Sequence, residues 1–290
     1  MKTRLTLVVL LLLTFALTAC QPQGSPVPQD PMEAIKLIAD KQQEVKSQHM
    51  EMNLGLQLKL DGLTGDSAQA AAMFKNFKGG VTLSGDVDSA KENFALKGDL
   101  DLGPLTALLS GGADKISFEA VKVGEKMYTK ANVGDNADKW NTQDAPKATT
   151  DVTKTNPLDP AMVMGLLKQA SKAEKLADEK IGDADTYHYK VTLDPAALLD
   201  SVSSLAALSG NSSTVDKAQM DQAKQALKGS TLEVDLWAGK ADLLLRQVKV
   251  HFNMNMKDIP DQPGASALID LTLQNTSSKI NQPVTITAPQ

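Results

Sequence analysis

Cysteine, histidine and aromatic residues are scarce in this chain of 290 residues. It contains one cysteine, three histidines and 4% aromatic residues. A single cysteine excludes an intramolecular disulfide framework and any metal or iron–sulfur site built from four cysteines. The formal net charge of -5 argues against nucleic-acid binding, which concentrates basic charge. With 42% hydrophobic residues, the chain can nevertheless bury a sizeable core.

Motifs typical of enzymes are also missing. The sequence has no G-x-S-x-G nucleophile elbow, no H-E-x-x-H zinc motif and no phosphate-binding glycine-rich loop after a strand. His49, His188 and His251 alternate with apolar residues along their strands, so each is predicted to lie on a solvated sheet face. We therefore predict no catalytic residue, no metal site and no cofactor, and a protein that is not an enzyme.

The one cysteine follows a segment with the features of a signal peptide. Two basic residues precede an apolar run from Leu5 to Leu17, which is too short for a comfortable membrane span. The next residues lead to Cys20, and the segment 17–20 (LTAC) resembles the lipobox of bacterial lipoproteins. This implies removal of residues 1–19 and a Cys20 acylated as a membrane anchor, followed by a proline-rich tether over 20–29. The alternative is a buried free cysteine after an ordinary signal peptide.

Hydrophobic periodicity predicts one long sheet within a single domain over residues 30–290. From His49 to Leu60, apolar and polar residues alternate, which is typical of a strand with one buried face. Short polar turns join the strands, so most neighbours should be antiparallel. Similar alternation recurs at residues 81–87, 94–102, 116–120, 232–236, 248–256 and 269–273.

Helices are predicted at four places between or before these strands. Asp-Pro pairs at residues 30–31, 159–160 and 194–195 have the pattern of a helix start, and a fourth helix is expected over about 214–227. Residues 103–111 are predicted to form a turn, and residues 135–156 a long loop. The predicted fold class is α+β, with helices on the apolar face of one antiparallel sheet.

The predicted interior is rich in methionine and leucine. The chain has 11 methionines, and their unbranched side chains adapt to a flexible apolar ligand. The helix after Asp194 carries only Asp200 as a charge through Leu208, so it must be buried or face something apolar. Composition alone leaves open that methionine merely fills gaps in an ordinary core.

Five segments carry a family resemblance. They are the lipobox, the helix after the proline-rich tether, the hairpin from Val121 to Lys130 followed by Trp140, the strand from Tyr187 to Asp194, and the run from Leu232 to Val248. Together they resemble the LppX/LprG-type lipid-carrier lipoproteins of mycobacteria. The resemblance implies a LolA/LolB-like fold, in which a strongly curved, incompletely closed antiparallel sheet (a half-barrel) wraps around helices and encloses a hydrophobic cavity.

The resulting prediction is a membrane-anchored bacterial lipoprotein, exported to the extracytoplasmic face of the cell membrane or envelope. It would bind or shuttle a lipid or another apolar ligand in that cavity. The alternative is an envelope interaction or structural lipoprotein with the same fold, a filled core and a protein partner. Cys20 is the expected lipid attachment site. The expected cavity residues are Met52, Leu54, Leu56, Phe94, Leu96, Phe118, Val250, Phe252 and Met254, with Leu198, Leu199, Val202 and Leu205 gating its mouth.

Overall fold

The fold is known from a computed structural model. It describes residues 27–64, 72, 75–112, 115–133, 137–145, 170–196, 221, 224–259 and 262–290. The helices with defined bounds are an N-terminal helix (Pro31–Lys41), which runs into a 3-10 turn (Gln42–Glu44), and a short helix (Pro104–Ser110). The strands are β1 (Ser47–Asp61), β2 (Asn76–Asp88), β3 (Asn93–Asp101), β4 (Ile116–Val123), β5 (Lys126–Ala131), β6 (Asn141–Asp144), β7 (Ala170–Lys175), β8 (Glu179–Ile181), β9 (Ala184–Leu193), β10 (Thr231–Gly239), β11 (Leu245–Ile259) and β12 (Gln262–Ser278).

The described strands form one antiparallel sheet of twelve strands. Their order is β6-β5-β4-β3-β2-β1-β12-β11-β10-β9-β7, and β8 also pairs with β9. The sheet does not close, because β6 lies at one end of this order and β7 at the other. The predicted fold class is confirmed: the protein is an α+β half-barrel, a curved and incompletely closed sheet with helix on its apolar face.

The long central strand β1 sets the two faces of the sheet. Along β1, exposed and half-buried residues alternate from Glu51 to Asp61, as the sequence predicts. Leu54 lies opposite Val81 on β2 and opposite Leu273 on β12, so the apolar side continues onto both neighbours. The result is one apolar face and one polar face across the sheet.

The N-terminal helix begins where the sequence predicts it. The Asp30 side chain accepts a hydrogen bond of 2.9 Å from the Glu33 amide, and Pro31 occupies the first helical position. Ile35 and Ile38 lie one turn apart and are at most 1% exposed. They pack in a buried cluster with Tyr189, Val191, Leu193, Leu236, Ala238, Leu243, Leu245 and Val248.

Gln42 joins the end of this helix to the turn between β10 and β11. Its Nε2 donates to the carbonyl oxygens of Ile38 at 2.8 Å and Leu243 at 3.3 Å, and its Oε1 accepts from the Leu245 amide at 3.1 Å. Leu243 has a φ of 60° and is 1% exposed. Such a left-handed non-glycine residue costs about 1 kcal/mol, which its burial and the Gln42 bonds offset.

Two sequence predictions about connecting segments are wrong. The predicted turn at residues 103–111 contains the helix Pro104–Ser110, bounded by Gly103 and Gly111 at positive φ. The predicted loop at 135–156 contains β6, whose four residues are all exposed. β6 pairs with β5 through its backbone and buries no apolar side chain, so alternation could not reveal it.

The later predicted helices fall mostly outside the described residues. The helix after Asp159 lies there entirely. At the next helix start, Asp194 accepts a hydrogen bond of 2.9 Å from the Ala196 amide, as a helix-starting Asp should. Gly229, where the fourth predicted helix should end, has a φ of 80°. Among the helices that the described residues form, none is long and apolar enough to cross a membrane.

Candidate functional site

Rows of apolar side chains cross the inner face of the sheet. One row runs from Leu54 through Leu273, Val250 and Val234 to Val191. The next row runs from Leu56 through Leu271, Phe252 and Leu232 to Leu193. Cross-strand neighbours stand with Cβ atoms about 5 Å apart, so these rows form a continuous apolar surface over five strands.

The strand pairing brings nine residues of the predicted cavity onto this one face. All nine are half-buried. The four predicted gating residues, Leu198, Leu199, Val202 and Leu205, lie outside the described residues, as does Cys20. Cavity formation itself therefore stays a prediction. The nine are Met52, Leu54 and Leu56 on β1, Phe94 and Leu96 on β3, Phe118 on β4, and Val250, Phe252 and Met254 on β11.

A glycine on this face makes room for an aromatic ring. Gly98 lies between Leu83 on β2 and Phe118 on β4 in one cross-strand row. A β-carbon at Gly98 would overlap the Thr82 carbonyl oxygen and lie 2.8 Å from the Phe118 ring. The ring therefore occupies the space that a side chain would need, and it extends the apolar surface over β3.

The apolar face has two parts with different burial. The buried cluster under the N-terminal helix belongs to β9, β10, β11 and the turn at Leu243. Within the described part of the chain, no residue of β1 to β5 joins that cluster. The apolar side chains of β1 and β3 are instead half-buried. These side chains therefore keep part of their apolar area accessible, and a large accessible apolar patch is typical of a surface that contacts an apolar partner.

Tyr189 is the largest side chain of the helix-covered part. It is 1% exposed, and its hydroxyl has no hydrogen-bond partner in the part of the chain that the structure describes. Burial raises the pKa of Tyr189 from 10.0 to about 12, with smaller contributions from Tyr187 and Asp178. The phenol is therefore held in its neutral form inside an apolar core.

We expect Tyr189→Phe to remove part of the loss of stability at alkaline pH. The phenol of the unfolded chain ionises near pH 10, whereas the buried phenol stays neutral up to about pH 12. Ionisation therefore favours the unfolded state as the pH rises through this window, and the free energy of unfolding falls until the folded phenol also ionises near pH 12. Wild type should lose about 2 to 3 kcal/mol more than the variant over this window. Urea unfolding at both ends of the window measures this, with Tyr128→Phe on β5 as the control. Equal losses in wild type and Tyr189→Phe would contradict the expectation.

The three histidines lie on the polar face, and each contacts a carboxylate on a neighbouring strand. Such pairs link adjacent strands across the polar face. The predicted solvated position is wrong for His188, which is buried beneath Trp237 and Glu179. Within the described ranges, no group of three His, Cys, Asp or Glu residues could hold a metal ion. The pairs are His49 Nδ1 with Asp86 at 2.7 Å, His188 Nε2 with Asp235 at 2.9 Å, and His251 Nε2 with Asp270 at 2.9 Å.

His188 differs from a surface histidine because it is buried. Its ring stacks on Trp237 with centroids 4.3 Å apart, and only 7% of the residue is exposed. Glu179 accepts a hydrogen bond of 2.9 Å from Trp237 Nε1 and has Oε1 3.5 Å from His188 Nδ1. Glu179 belongs to β8, a strand of three residues that periodicity did not predict, so its place beside the ring was not foreseen.

Asp270 on β12 is a carboxylate on this face whose pKa is lowered by its hydrogen bonds. Hydrogen bonds first from His251 and then from Asn253 hold the pKa of Asp270 below its ordinary value. The Asn253 amide lies 3.0 Å from Asp270 Oδ2. The ionised form of Asp270 therefore stabilises the pairing of β11 with β12.

We expect Asp270→Asn to lower the free energy of unfolding by about 1 kcal/mol near neutral pH. Because the folded pKa is depressed, this contribution is present above the unfolded pKa of about 3.9 and is lost as the pH falls through the folded value. The gap between wild type and variant should therefore narrow towards about pH 2 in urea unfolding. Asp61→Asn, at an exposed position on β1, is the control. A gap that does not change with pH would refute the assignment.

The described residues thus define an open antiparallel half-barrel with one apolar and one polar face. No protein-family model matches the chain, and no curated protein sequence matches it significantly.

Among solved structures, it is similar to lipoprotein LppX of Mycobacterium tuberculosis, with a TM-score of 0.39 and 15% identity over 89% of this chain and 100% of LppX. It is also similar to LprF of Mycobacterium bovis, with a TM-score of 0.42 and 16% identity over 91% of this chain and 99% of LprF. A DUF1329 family protein from Desulfovibrio piger aligns with a TM-score of 0.22 and 11% identity over 89% of this chain and 96% of that one.

Proposed function

We propose that this protein is a bacterial envelope lipoprotein that binds or shuttles a lipid or another apolar ligand. The observation that carries the proposal is the half-buried apolar surface of β1 and β3, next to a core that the N-terminal helix covers over β9 to β11. A ligand on this surface gains about 25 cal/mol for each Å² of apolar area buried. Such a site needs few polar groups, which agrees with a protein that is not an enzyme.

The N-terminal sequence supports a membrane anchor for this function. We propose that residues 1–19 are removed, that Cys20 carries the acyl chains, and that residues 20–29 tether the domain of residues 30–290. Two or three acyl chains hold a protein at a membrane far more firmly than one. The anchor would place the domain on the extracytoplasmic face, where envelope lipids are within reach.

The residues of the apolar face have distinct proposed roles. Met52, Leu54 and Leu56 on the central strand would contact the middle of an acyl chain. The six other half-buried cavity residues on this face would extend this contact to either side. Leu198, Leu199, Val202 and Leu205 would gate the entrance, a role that their nearly uncharged sequence supports.

Native mass spectrometry tests the proposal. The chain from Gln21 onward is expressed without the anchor and extracted gently. Its mass is measured before and after incubation with vesicles of phosphatidylethanolamine and phosphatidylglycerol. We expect added masses that correspond to bound lipid. An apo mass alone, with no uptake from the vesicles, would reject lipid binding and favour the interaction lipoprotein with a filled core.

A further inference from the structure

A groove crosses the opposite, polar face of the sheet from β1 to β5. Its cavity has a volume of about 490 Å³, within the roughly 300–1,000 Å³ of small-molecule sites. Two cross-strand rows of polar side chains form its walls, and the backbone of the row between them forms its floor. One wall is Glu51, Ser84, Lys97, Glu119 and Lys130, and the other is Asn53, Thr82, Asp99, Ser117 and Asn132.

The groove is long because it runs perpendicular to the strands. Five strands at a spacing of about 4.8 Å give it a length of about 19 Å. Beside the groove, a second cavity of about 650 Å³ shares Asn53, Thr82 and Asp99 with it. This cavity opens where Gly55 and Gly80 place no side chain on the polar face. The shape suits an extended ligand with a branch or a bend.

Four carboxylates and two lysines line the groove, and three of these six charged groups belong to lysine–carboxylate pairs. Lys130 pairs with Glu119 at 2.6 Å, and Lys115, at the edge of the groove, pairs with Asp99 at 2.9 Å. Among the described residues, Lys97 has no carboxylate within 4.0 Å and remains available to a ligand. The carboxylates would repel an anionic ligand, and the lysines would repel a cationic one. A neutral ligand that both donates and accepts hydrogen bonds fits the mixture best.

An aromatic ring lies next to the β5 end of the groove, beside Lys130 and just outside the residues that line the cavity. The Lys130 ammonium lies 5.2 Å from the centre of the Trp140 ring, and Trp140 is half-buried. Asp138, two residues earlier, also lines the cavity. A half-exposed indole beside carboxylate, amide and hydroxyl groups offers an apolar plane and polar edges at the same place.

We infer that this groove binds a neutral saccharide chain. Sugar rings present hydroxyl groups along their edges and C–H groups on their faces. The hydroxyls match the amide of Asn53, the hydroxyls of Thr82 and Ser84 and the free ammonium of Lys97, while a ring face matches Trp140. The groove lies on the face opposite the proposed lipid surface, so this activity is separate from lipid binding.

Saccharide titrations of the full chain in detergent micelles test the inference. The probes are cellohexaose, chitohexaose and α-1,6-mannohexaose, and isothermal titration calorimetry is the readout. We expect at least one probe to bind, and Trp140→Ala and Lys97→Ala each to weaken its affinity by about tenfold or more. Lys59→Ala is the matched control, since Lys59 is an exposed lysine on the same face of β1 outside both cavities.

Each outcome of these titrations decides the inference. It is overturned if no probe binds at about 10 mM, if Trp140→Ala and Lys97→Ala bind like wild type, or if Lys59→Ala is weakened equally. Thermal unfolding followed by circular dichroism checks that each variant is folded. If Trp140→Ala does not fold, the saccharide affinity of Lys97→Ala tests the inference by itself, because Lys97 is exposed and its truncation should leave the fold intact. Lipid uptake should be unchanged in all three variants, so failure here leaves the lipid proposal standing.

Discussion

Leu56→Glu is expected to reduce lipid uptake by about tenfold or more while the protein stays folded. Leu56 is half-buried in the middle of the apolar face, in the row with Leu271 and Phe252. A carboxylate here would have to be desolvated against an acyl chain, and this cost exceeds the roughly 1.4 kcal/mol that a tenfold loss of affinity requires. The measurement is the lipid-bound fraction by native mass spectrometry after incubation with vesicles.

The neighbouring residue on β1 supplies the matched control for this substitution. Gln57 is exposed on the polar face, so Gln57→Glu adds the same charge one residue away but on the other side of the sheet. We expect Gln57→Glu to take up lipid like wild type. If both variants take up lipid equally well, the apolar face of β1 is not the ligand surface.

Ile38→Ala is expected to lower the free energy of unfolding by about 2 to 5 kcal/mol. Ile38 is 1% exposed and packs in the cluster that joins the N-terminal helix to β9, β10 and β11. Its truncation leaves a cavity, and it weakens the contact that holds the helix on the sheet. Urea unfolding followed by circular dichroism measures the effect.

Lys36→Ala tests whether this loss comes from packing. Lys36 is exposed on the same helix, and alanine forms helix at least as well as lysine. We expect Lys36→Ala to change the free energy of unfolding by less than about 0.5 kcal/mol. A similar small change for Ile38→Ala would mean that the helix does not depend on this contact with the sheet.

The elements that could be predicted are those in which a local pattern carries the signal. The alternation from His49 to Leu60 predicted β1 and the direction of its side chains, because every second residue of a strand faces the same side. The Asp30-Pro31 pair predicted the start of the N-terminal helix, because the side chain and the fixed φ of proline act on the next residues only. The same parity placed nine predicted cavity residues on one face.

The features that could not be predicted depend on backbone pairing or on residues distant in the sequence. β6 and β8 are short and mostly exposed, and hydrogen bonds to neighbouring strands define them. The burial of His188 depends on Trp237, 49 positions further along, and on Glu179. The polar groove depends on five strands in register, and no single strand carries its pattern.

The sequence by itself determined that this protein has one apolar and one polar sheet face, because a two-residue period is a local property of each strand. Only the tertiary structure decided that β1 lies between β2 and β12, and that the N-terminal helix packs against β9, β10 and β11. Strand order depends on backbone groups that nearly every residue offers, so many orders satisfy the same pattern of side chains. Which part of the apolar face is buried therefore follows from how the strands assemble.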